Sequence, residues 1–258
     1  MLSLAAATTL DAGAFATVEA ARQSGFDACG LRPAGAELSD RGVADLARQI
    51  ADSGLTLLDV EVVRLGAAEP DVRPSQLLDV AARLGARFVL AVSHHDDPGR
   101  RAAELARLAE AAAGRGLKVA LEFMRFTALP TLESALSVLE QVGRPDVGVL
   151  VDALHLQRSG GSPLDLRQIP PGRLAYVQLC DAVADGPADA TAMAEEARHR
   201  RLLPGDGALP LRELLAELDP AVPISVEVQS DDLVRATAPG PRARLAFEHA
   251  RDLLAARP

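Results

Sequence analysis

Four strand-like segments in the second half of the sequence carry, at or near their ends, a polar residue that can bind a metal ion. These residues are Glu122 in KVALEF, Asp152 in VGVLVD, Gln178 in AYVQL and Glu227 in PISVEV. Parallel strands that close into a barrel direct their carboxyl ends toward one place. Three carboxylates and one amide that meet there predict a cage for a divalent cation.

The alternation of side chains along these strands supports their convergence. In PISVEV, Val226 and Val228 share one face, whereas Ser225 and Glu227 share the other. The apolar face is expected to pack under helices, which leaves the polar residue in the barrel interior near the C-terminal mouth. Three buried carboxylates need a compensating cation. Their oxygen ligands favour one Mn²⁺ or Mg²⁺ ion, and Co²⁺ and Zn²⁺ are also compatible with them.

A histidine follows the second of these residues closely. His155 lies three residues after Asp152 in VDALH, so we expect its imidazole beside the metal, as a general acid or base or as an outer ligand. A loop histidine that is hydrogen-bonded to backbone is the alternative. Asp181, just past Gln178, is a candidate for orienting a ligand by a hydrogen bond, and equally for capping a turn.

Weaker candidates lie on other predicted strands. Glu61 in LDVEV is expected to contact a substrate from the third strand, and His94 or His95 in LAVSHHDD to point into the mouth from the fourth. Helix capping explains these two histidines nearly as well. Lys118 invites a Schiff-base interpretation, but it lies near the start of its strand, which argues against an aldolase.

The elements that must position these residues alternate along the chain. Some helical stretches have visible ends, such as the one that Ser39 precedes and Gly54 stops. Strands are predicted near 2–6, 26–31, 55–62, 87–92, 118–123, 147–152, 174–179 and 223–228. Helices are predicted near 13–24, 39–53, 74–84, 98–115, 131–142, 163–169, 209–218 and 240–256.

Eight strands that alternate with eight helices predict an α/β fold, a single (β/α)8 TIM barrel. It is expected to form one domain over residues 1–258, with 181–208 as an active-site loop insertion. An open doubly wound sheet is the main rival. However, no G-x-G-x-x-G follows the first strand, so the dinucleotide-binding signature of that fold is missing.

Composition and charge exclude several classes of function. Apolar residues make up 48% of the 258 residues, as in globular proteins, and no apolar run is long enough to span a membrane. The net charge of −9 argues against a nucleic-acid partner. Two cysteines, Cys29 and Cys180, make no disulfide framework, and a cytoplasmic location follows. A homo-oligomer is possible, but nothing in the sequence decides the oligomeric state.

Several of these segments resemble one known family. LEFM, VGVLVDALH, AYVQLCDA, RRLLPGDGALPL and ISVEV are similar to the xylose isomerase-like TIM-barrel superfamily, the sugar phosphate isomerase/epimerase group. The resemblance implies a metal on the four residues of the cage, with Gln178 where many members have His. That variant resembles the 3-dehydroshikimate dehydratase branch, in which the histidine at the position of His155 is thought to be catalytic. Arg201 lies in a segment near the family's site and is expected to bind the substrate's anionic end; His199 is an ambiguous neighbour.

The resemblance implies a divalent-metal-dependent isomerase or epimerase of a small sugar or keto-polyol. It would remove the proton α to a metal-bound carbonyl of a polyhydroxy substrate, with Glu122, Glu227 or His155 as acid or base. The alternative is a metal-dependent dehydratase of a cyclic hydroxy-ketone such as 3-dehydroshikimate or inosose. AP endonuclease-like DNA repair is disfavoured, because five histidines and the acidic charge do not fit it. A non-catalytic carbohydrate-binding protein is the remaining class.

Overall fold

Eight parallel strands close into a barrel in the computed structural model, which describes residues 1–67 and 72–256. Each strand pairs with the next one in the chain, and the last pairs with the first through Ser3 and Ser225. This confirms the predicted TIM barrel. The strands are β1 (Leu2–Leu4), β2 (Ala28–Leu31), β3 (Thr56–Leu65), β4 (Phe88–Ser93), β5 (Lys118–Glu122), β6 (Val147–Asp152), β7 (Leu174–Leu179) and β8 (Ile224–Val226).

Helices surround the barrel. Their ends follow local chemistry: the Ser39 hydroxyl accepts a hydrogen bond from the Gly42 N–H at 3.1 Å, and the second helix ends at Gly54 in the left-handed conformation. The α-helices are α1 (Gly13–Ser24), α2 (Asp40–Ser53), α3 (Pro74–Leu84), α4 (Pro98–Ala113), α5 (Leu132–Val142), α6 (Ala153–Arg158), α7 (Ala190–His199), α8 (Leu211–Ala216), α9 (Asp231–Ala236) and α10 (Pro239–Ala255). Three 3₁₀ helices cover Ala6–Ala12, Gly35–Leu38 and Pro163–Gln168.

Two apolar clusters support the strands. The larger lies between the barrel and the helices, and the smaller fills the barrel interior. In the smaller cluster the rings of Phe88 and Tyr176 pack with centroids 5.6 Å apart, beside Leu90 and Leu150. The interior below the mouth is therefore packed with side chains, so within the barrel the room for a site lies at the strand ends.

The structure differs from the sequence prediction between residues 153 and 208. The predicted helix at 163–169 is a 3₁₀ helix, and the six-residue α6 precedes it. The predicted loop insertion at 181–208 contains α7. Both α6 and α7 are short, and the apolar residues of α7 are four alanines and one methionine, so neither helix shows a strong apolar periodicity. In the described part of the chain, no helix has the length and apolarity that a membrane span requires.

Candidate metal centre and active site

The four predicted ligands lie at neighbouring strand ends. Glu122 ends β5, Asp152 ends β6, Gln178 lies in β7, and Glu227 follows β8 directly. Strand pairing places Asp152 beside Gln178, and Gln178 beside Ser225, so the row is continuous. All four side chains are buried. Glu122 and Glu227 line a cavity of about 580 Å³ at the mouth of the barrel.

The distances within this row are not uniform. Ligand atoms of Glu122, Asp152 and His155 all lie within 4.8 Å of one another, and His155 Nε2 is 3.8 Å from Glu122 Oε1. Arg201 links Glu227 to this group. Its Nη1 lies 2.6 Å from Asp152 Oδ2 and 3.5 Å from Glu227 Oε2. The His155 imidazole thus lies close enough to Glu122 and Asp152 to share a metal ion with them.

Two buried oxygen atoms of the row have no hydrogen-bond partner among the described residues. They are Gln178 Oε1 and Glu227 Oε2, of which the second has, in the described part of the chain, only the ion-pair contact with Arg201 at 3.5 Å. A buried acceptor without a partner destabilises the protein by about 1–3 kcal/mol, so such atoms in a native protein call for a water or an ion. Both are oxygens, the ligand type that hard divalent cations prefer. The residues present therefore fit a bound divalent metal.

The charge around the cavity points the same way. Burial, together with the nearby charges of Glu227 and Asp152, raises the pKa of Glu122 well above its usual value. Burial also raises the pKa of Glu227, to about 8, although Arg201 opposes this. With all four carboxyl groups ionised, their charge exceeds that of the two guanidinium groups here by two, which one divalent cation would balance. The carboxylates belong to Glu61, Glu122, Asp152 and Glu227, and the guanidinium groups to Arg32 and Arg201.

Asp152 and His155 are held together by the start of α6. The Asp152 carboxylate caps this helix, because its Oδ1 accepts a hydrogen bond from the His155 backbone N–H at 3.0 Å. Burial lowers the pKa of the His155 imidazole to about 4. At neutral pH the ring is therefore uncharged and can accept a proton. The Phe126 ring packs against it in a T-shaped arrangement, with ring centroids 5.6 Å apart.

Arg201 lies against the cage as well as in the cavity wall. Its side chain is 2% exposed, and its Nε donates to the Ala197 carbonyl at 2.7 Å. Its Nη1 also lies 3.2 Å from Cys180 Sγ. The sequence predicts that Arg201 binds an anionic end of the substrate. The structure shows in addition that its charge is shared with Asp152.

The opposite side of the mouth carries the two other predicted substrate contacts. Glu61 lines the cavity and pairs with Arg32, whose Nη2 lies 2.9 Å from Glu61 Oε1. His94 also lines the cavity and is exposed at its rim. Burial, and then the charges of Arg64 and Arg198, lower the pKa of His94. Both predicted residues thus face the same cavity as the cage.

Sequence reasoning missed three residues of this wall: Arg32, Arg64 and Arg198. Arg32 directly follows β2, so the strand-end argument used for the second half of the chain could have found it. Arg64 lies inside the long strand β3. Arg198 lies in α7 and stacks over Phe126, with its Cζ 5.8 Å from the ring centroid. No sequence signal linked Arg198 to the cavity, because α7 itself was not predicted.

The remaining candidates lie in other surroundings. His95 points away from the cavity and pairs with Glu104 at 2.9 Å. His199 lines the cavity and pairs with Asp231 at 3.1 Å. Lys118 is exposed at the start of β5.

Asp181 acts on the loop that follows it. Its Oδ1 accepts hydrogen bonds from the backbone N–H groups of Ala182 at 2.8 Å and Leu209 at 2.9 Å. Its Oδ2 accepts one from Gly205 at 3.0 Å. The alternative in which Asp181 caps a turn is therefore the one that the structure supports.

The sequence is similar to those of known proteins. Residues 18–254 match the sequence model of the family described as xylose isomerase-like TIM barrel. A 3-dehydroshikimate dehydratase of Pseudomonas aeruginosa is 28% identical over 230 residues, which are 83% of this chain and 36% of that protein. The chain thus spans about a third of that relative's length.

Solved structures share the fold. The IOLI protein, solved with a binding zinc atom, superimposes with a TM-score of 0.85 at 20% identity, over 99% of this chain and 98% of its own. A D-psicose 3-epimerase of Clostridium cellulolyticum, solved with D-tagatose, gives a TM-score of 0.75 at 17% identity over 98% of each chain. At these identities the likeness concerns the fold.

Proposed function

The chain belongs to the xylose isomerase-like TIM-barrel family, and we propose that it is a divalent-metal-dependent isomerase or epimerase of a small sugar or keto-polyol. The similar proteins named above include a dehydratase and an epimerase, both of them enzymes. The observation that carries the proposal is the group of buried oxygens at four adjacent strand ends, with an excess of negative charge and two atoms that lack hydrogen bonds.

Glu122, Asp152, Gln178 and Glu227 would hold the metal, with His155 beside them. When bound, a divalent cation supplies Lewis-acid polarisation of the substrate's carbonyl group. The protein itself supplies the proton transfers and the orientation of the substrate. Mn²⁺ and Mg²⁺ are our first choices because all four ligands offer oxygen.

His155 is well placed to move the proton next to the carbonyl. Its imidazole is neutral at pH 7, buried, and 3.8 Å from Glu122 Oε1. An uncharged imidazole can accept a proton from carbon, and the neighbouring carboxylate would stabilise the imidazolium that results. Glu122 and Glu227 are the other candidates for acid and base. Return of the proton to the neighbouring carbon gives isomerisation. Its return to the original carbon from the opposite face gives epimerisation.

The cavity suits a small polyhydroxy compound. Its walls combine apolar side chains with charged groups that can form hydrogen bonds with hydroxyls. The polar groups on the side opposite the cage include Arg32, Glu61 and His94. The apolar lining includes Val62, Leu90, Val92, Met124 and Phe126.

Dehydration of a cyclic hydroxy-ketone is the second candidate function. It is favoured by Gln178, the ligand at which this chain resembles the dehydratase branch, and by the similarity to the Pseudomonas aeruginosa 3-dehydroshikimate dehydratase. The same proton abstraction would begin this reaction. It differs in that the abstracted proton is not returned to carbon: the bond between the β-carbon and its hydroxyl oxygen breaks, and the hydroxyl group takes up that proton and leaves as water.

A substrate panel tests the proposal. Metal-stripped protein would be supplemented with Mn²⁺ or Mg²⁺ and assayed on ketoses, inosose and 3-dehydroshikimate, and deuterium uptake from heavy water would report proton abstraction. We expect metal-dependent deuterium uptake with at least one compound, and the product then distinguishes isomerase, epimerase and dehydratase. Turnover that is indifferent to metal would contradict the proposal.

A further inference from the structure

A buried ion pair joins the two short helices that flank the cage. Arg158, at the end of α6, contacts Glu196 in α7 through two hydrogen bonds, Nε to Oε2 and Nη2 to Oε1, each 2.8 Å long. The two side chains are 8% and 5% exposed. Two parallel bonds of this kind fix both distance and orientation, and they are stronger than neutral hydrogen bonds. We call this pair the α6–α7 clamp.

The surroundings of Arg158 are fitted to it. Its Nη2 also donates to the Val183 carbonyl at 2.8 Å. Gly186 packs so closely that a Cβ atom there would collide with the guanidinium. The start of the segment 181–208 thus wraps around the Arg158 side chain. Neither Arg158 nor Glu196 lines the cavity, so neither residue has a role in the mechanism proposed above.

Both helices of the clamp lead directly to the cage. The helix α6 is capped by Asp152 and carries His155. The helix α7 ends two residues before Arg201, and the Arg201 Nε donates back to the Ala197 carbonyl within it. Arg201 Nη1 lies 2.6 Å from Asp152 Oδ2. Arg201 therefore connects the end of α7 to the residue that caps α6. The position of the Arg201 guanidinium therefore depends on the position of α7.

We propose that the α6–α7 clamp holds Arg201 as a fixed counter-cation of the cage, so that two residues outside the cavity set the affinity for the divalent metal. This inference rests on the proposed function, since it assumes the metal site. Arg158 and Glu196 act through Arg201 and are positioning residues. Arg201 would compete with the metal, because its guanidinium already shares Asp152 and Glu227.

The direction of the effect follows from the charges. Without the guanidinium, the cage carboxylates repel one another more strongly in the metal-free protein, and a bound metal no longer faces a neighbouring positive charge. Asp152 keeps its orientation, because its Oδ1 still accepts the hydrogen bond from the His155 backbone N–H. Arg201→Gln is therefore expected to tighten metal binding, by about tenfold for a close charge. Glu196→Gln should act in the same direction by a smaller factor.

Titration of metal-free protein with Mn²⁺ alone tests this. Wild type, Glu196→Gln, Arg201→Gln and the double variant would be compared, with thermal unfolding as a check that each is folded. Glu217→Gln is the matched control, because Glu217 forms the same pair of bonds with Arg167, both 2.7 Å long, on the surface outside the cavity. We expect tighter binding in Glu196→Gln, no change in Glu217→Gln, and no further gain when Glu196→Gln is added to Arg201→Gln.

A clamp variant that binds Mn²⁺ like the control, or more weakly than wild type, would overturn the inference. So would effects of Glu196→Gln and Arg201→Gln that simply add, because the clamp would then not act through Arg201. Each of these outcomes leaves the metal site itself intact.

A second readout does not depend on metal. Cys180 is buried with its Sγ 3.2 Å from Arg201 Nη1, and Cys29 is buried in β2. In metal-free protein, Glu196→Gln should speed thiol labelling of Cys180 several-fold and leave Cys29 unchanged, as followed by mass spectrometry of peptides. If wild type binds no Mn²⁺, the proposed metal site fails, and this labelling alone decides the clamp. Unchanged labelling of Cys180 would refute it.

Discussion

The two sides of the barrel mouth balance their charges in different ways. The ends of β5 to β8, which we call the cage wall, bring Glu122, Asp152 and Glu227 close together against the single guanidinium of Arg201. The ends of β2 to β4, the far wall, carry Glu61 with Arg32 at 2.9 Å. The far wall is thus neutralised by its own residues, whereas the cage wall needs an external cation.

This difference assigns a task to each side. A wall in which the carboxylates outnumber the guanidinium groups, beside the buried Gln178 oxygen that has no hydrogen bond, suits a metal ion. A wall whose charges are already paired, next to apolar side chains such as Leu90 and Val92, suits the organic part of a substrate. We therefore propose that the metal and the organic part of the substrate would bind to opposite halves of one cavity, and each prediction below separates the two tasks.

The largest effect is expected from the cage wall. Asp152→Asn removes a charge that lies between Glu122, His155 and Arg201, and metal affinity should fall by more than about 100-fold, because even outer partners of a ligand cost 10–100-fold. Turnover should fall with it. Titration with Mn²⁺ checks this, and a variant that retains wild-type affinity would show that Asp152 is not a ligand.

His155 separates metal binding from proton transfer. With His155→Ala we expect kcat to fall by about 10²–10⁴-fold, the usual contribution of a general acid or base. Metal affinity should change much less than in Asp152→Asn, and this tests the role of the imidazole. Loss of the metal would instead make His155 a ligand, which its distance to Glu122 permits. Full turnover would end its catalytic role.

The far wall should affect the substrate and leave the metal in place. Glu61→Gln breaks the ion pair with Arg32 but keeps the shape of the side chain. We expect KM to rise by about tenfold, equivalent to roughly 1.4 kcal/mol of binding, with little change in metal affinity. Steady-state kinetics and a Mn²⁺ titration on the same protein provide the check. A loss of metal affinity in Glu61→Gln would show that the far wall also contributes to metal binding.

The smallest effect concerns a buried acid below the far wall. Burial and the charge of Glu61 raise the pKa of Asp59 to about 7 from an ordinary value of 3.8. The folded state then binds this proton more tightly than the unfolded state, so Asp59 contributes most to stability below pH 3.8, and this contribution is lost as the pH rises toward 7.

Asp59→Asn should remove that loss. The free energy of unfolding of the variant should gain on wild type as the pH rises, by up to about 1.4 kcal/mol per pH unit below pH 7. Urea unfolding of the metal-free proteins at pH 5 and pH 8 measures it. A difference between the two proteins that does not depend on pH would show that Asp59 is ionised throughout.

Much of the fold could be predicted because barrel strands and their helices repeat a simple pattern. The alternation of Ser225, Val226 and Glu227 was enough to place an acid at the mouth, and the same rule located Glu122 and Asp152. Applied to the second strand, it would also have found Arg32. The binding of a metal by these residues stays a prediction.

The pairing of distant charges could not be predicted. Arg201 and Asp152 are 49 residues apart, and Arg158 and Glu196 are 38 apart. In a sequence with many arginines and acids, nothing indicates which of them will pair. The position of α7 decides both contacts, and its ten residues include only one large apolar side chain, that of Met193, which is too few to reveal its packing.

Metal content of purified protein tests the division between the two walls most directly. Elemental analysis would compare wild type with Glu227→Gln and Glu61→Gln, which make the same chemical change on the cage wall and on the far wall. We expect about one divalent ion per chain in wild type and in Glu61→Gln, and almost none in Glu227→Gln. Metal retained in Glu227→Gln, or absent from wild type even after exposure to Mn²⁺, would contradict this expectation.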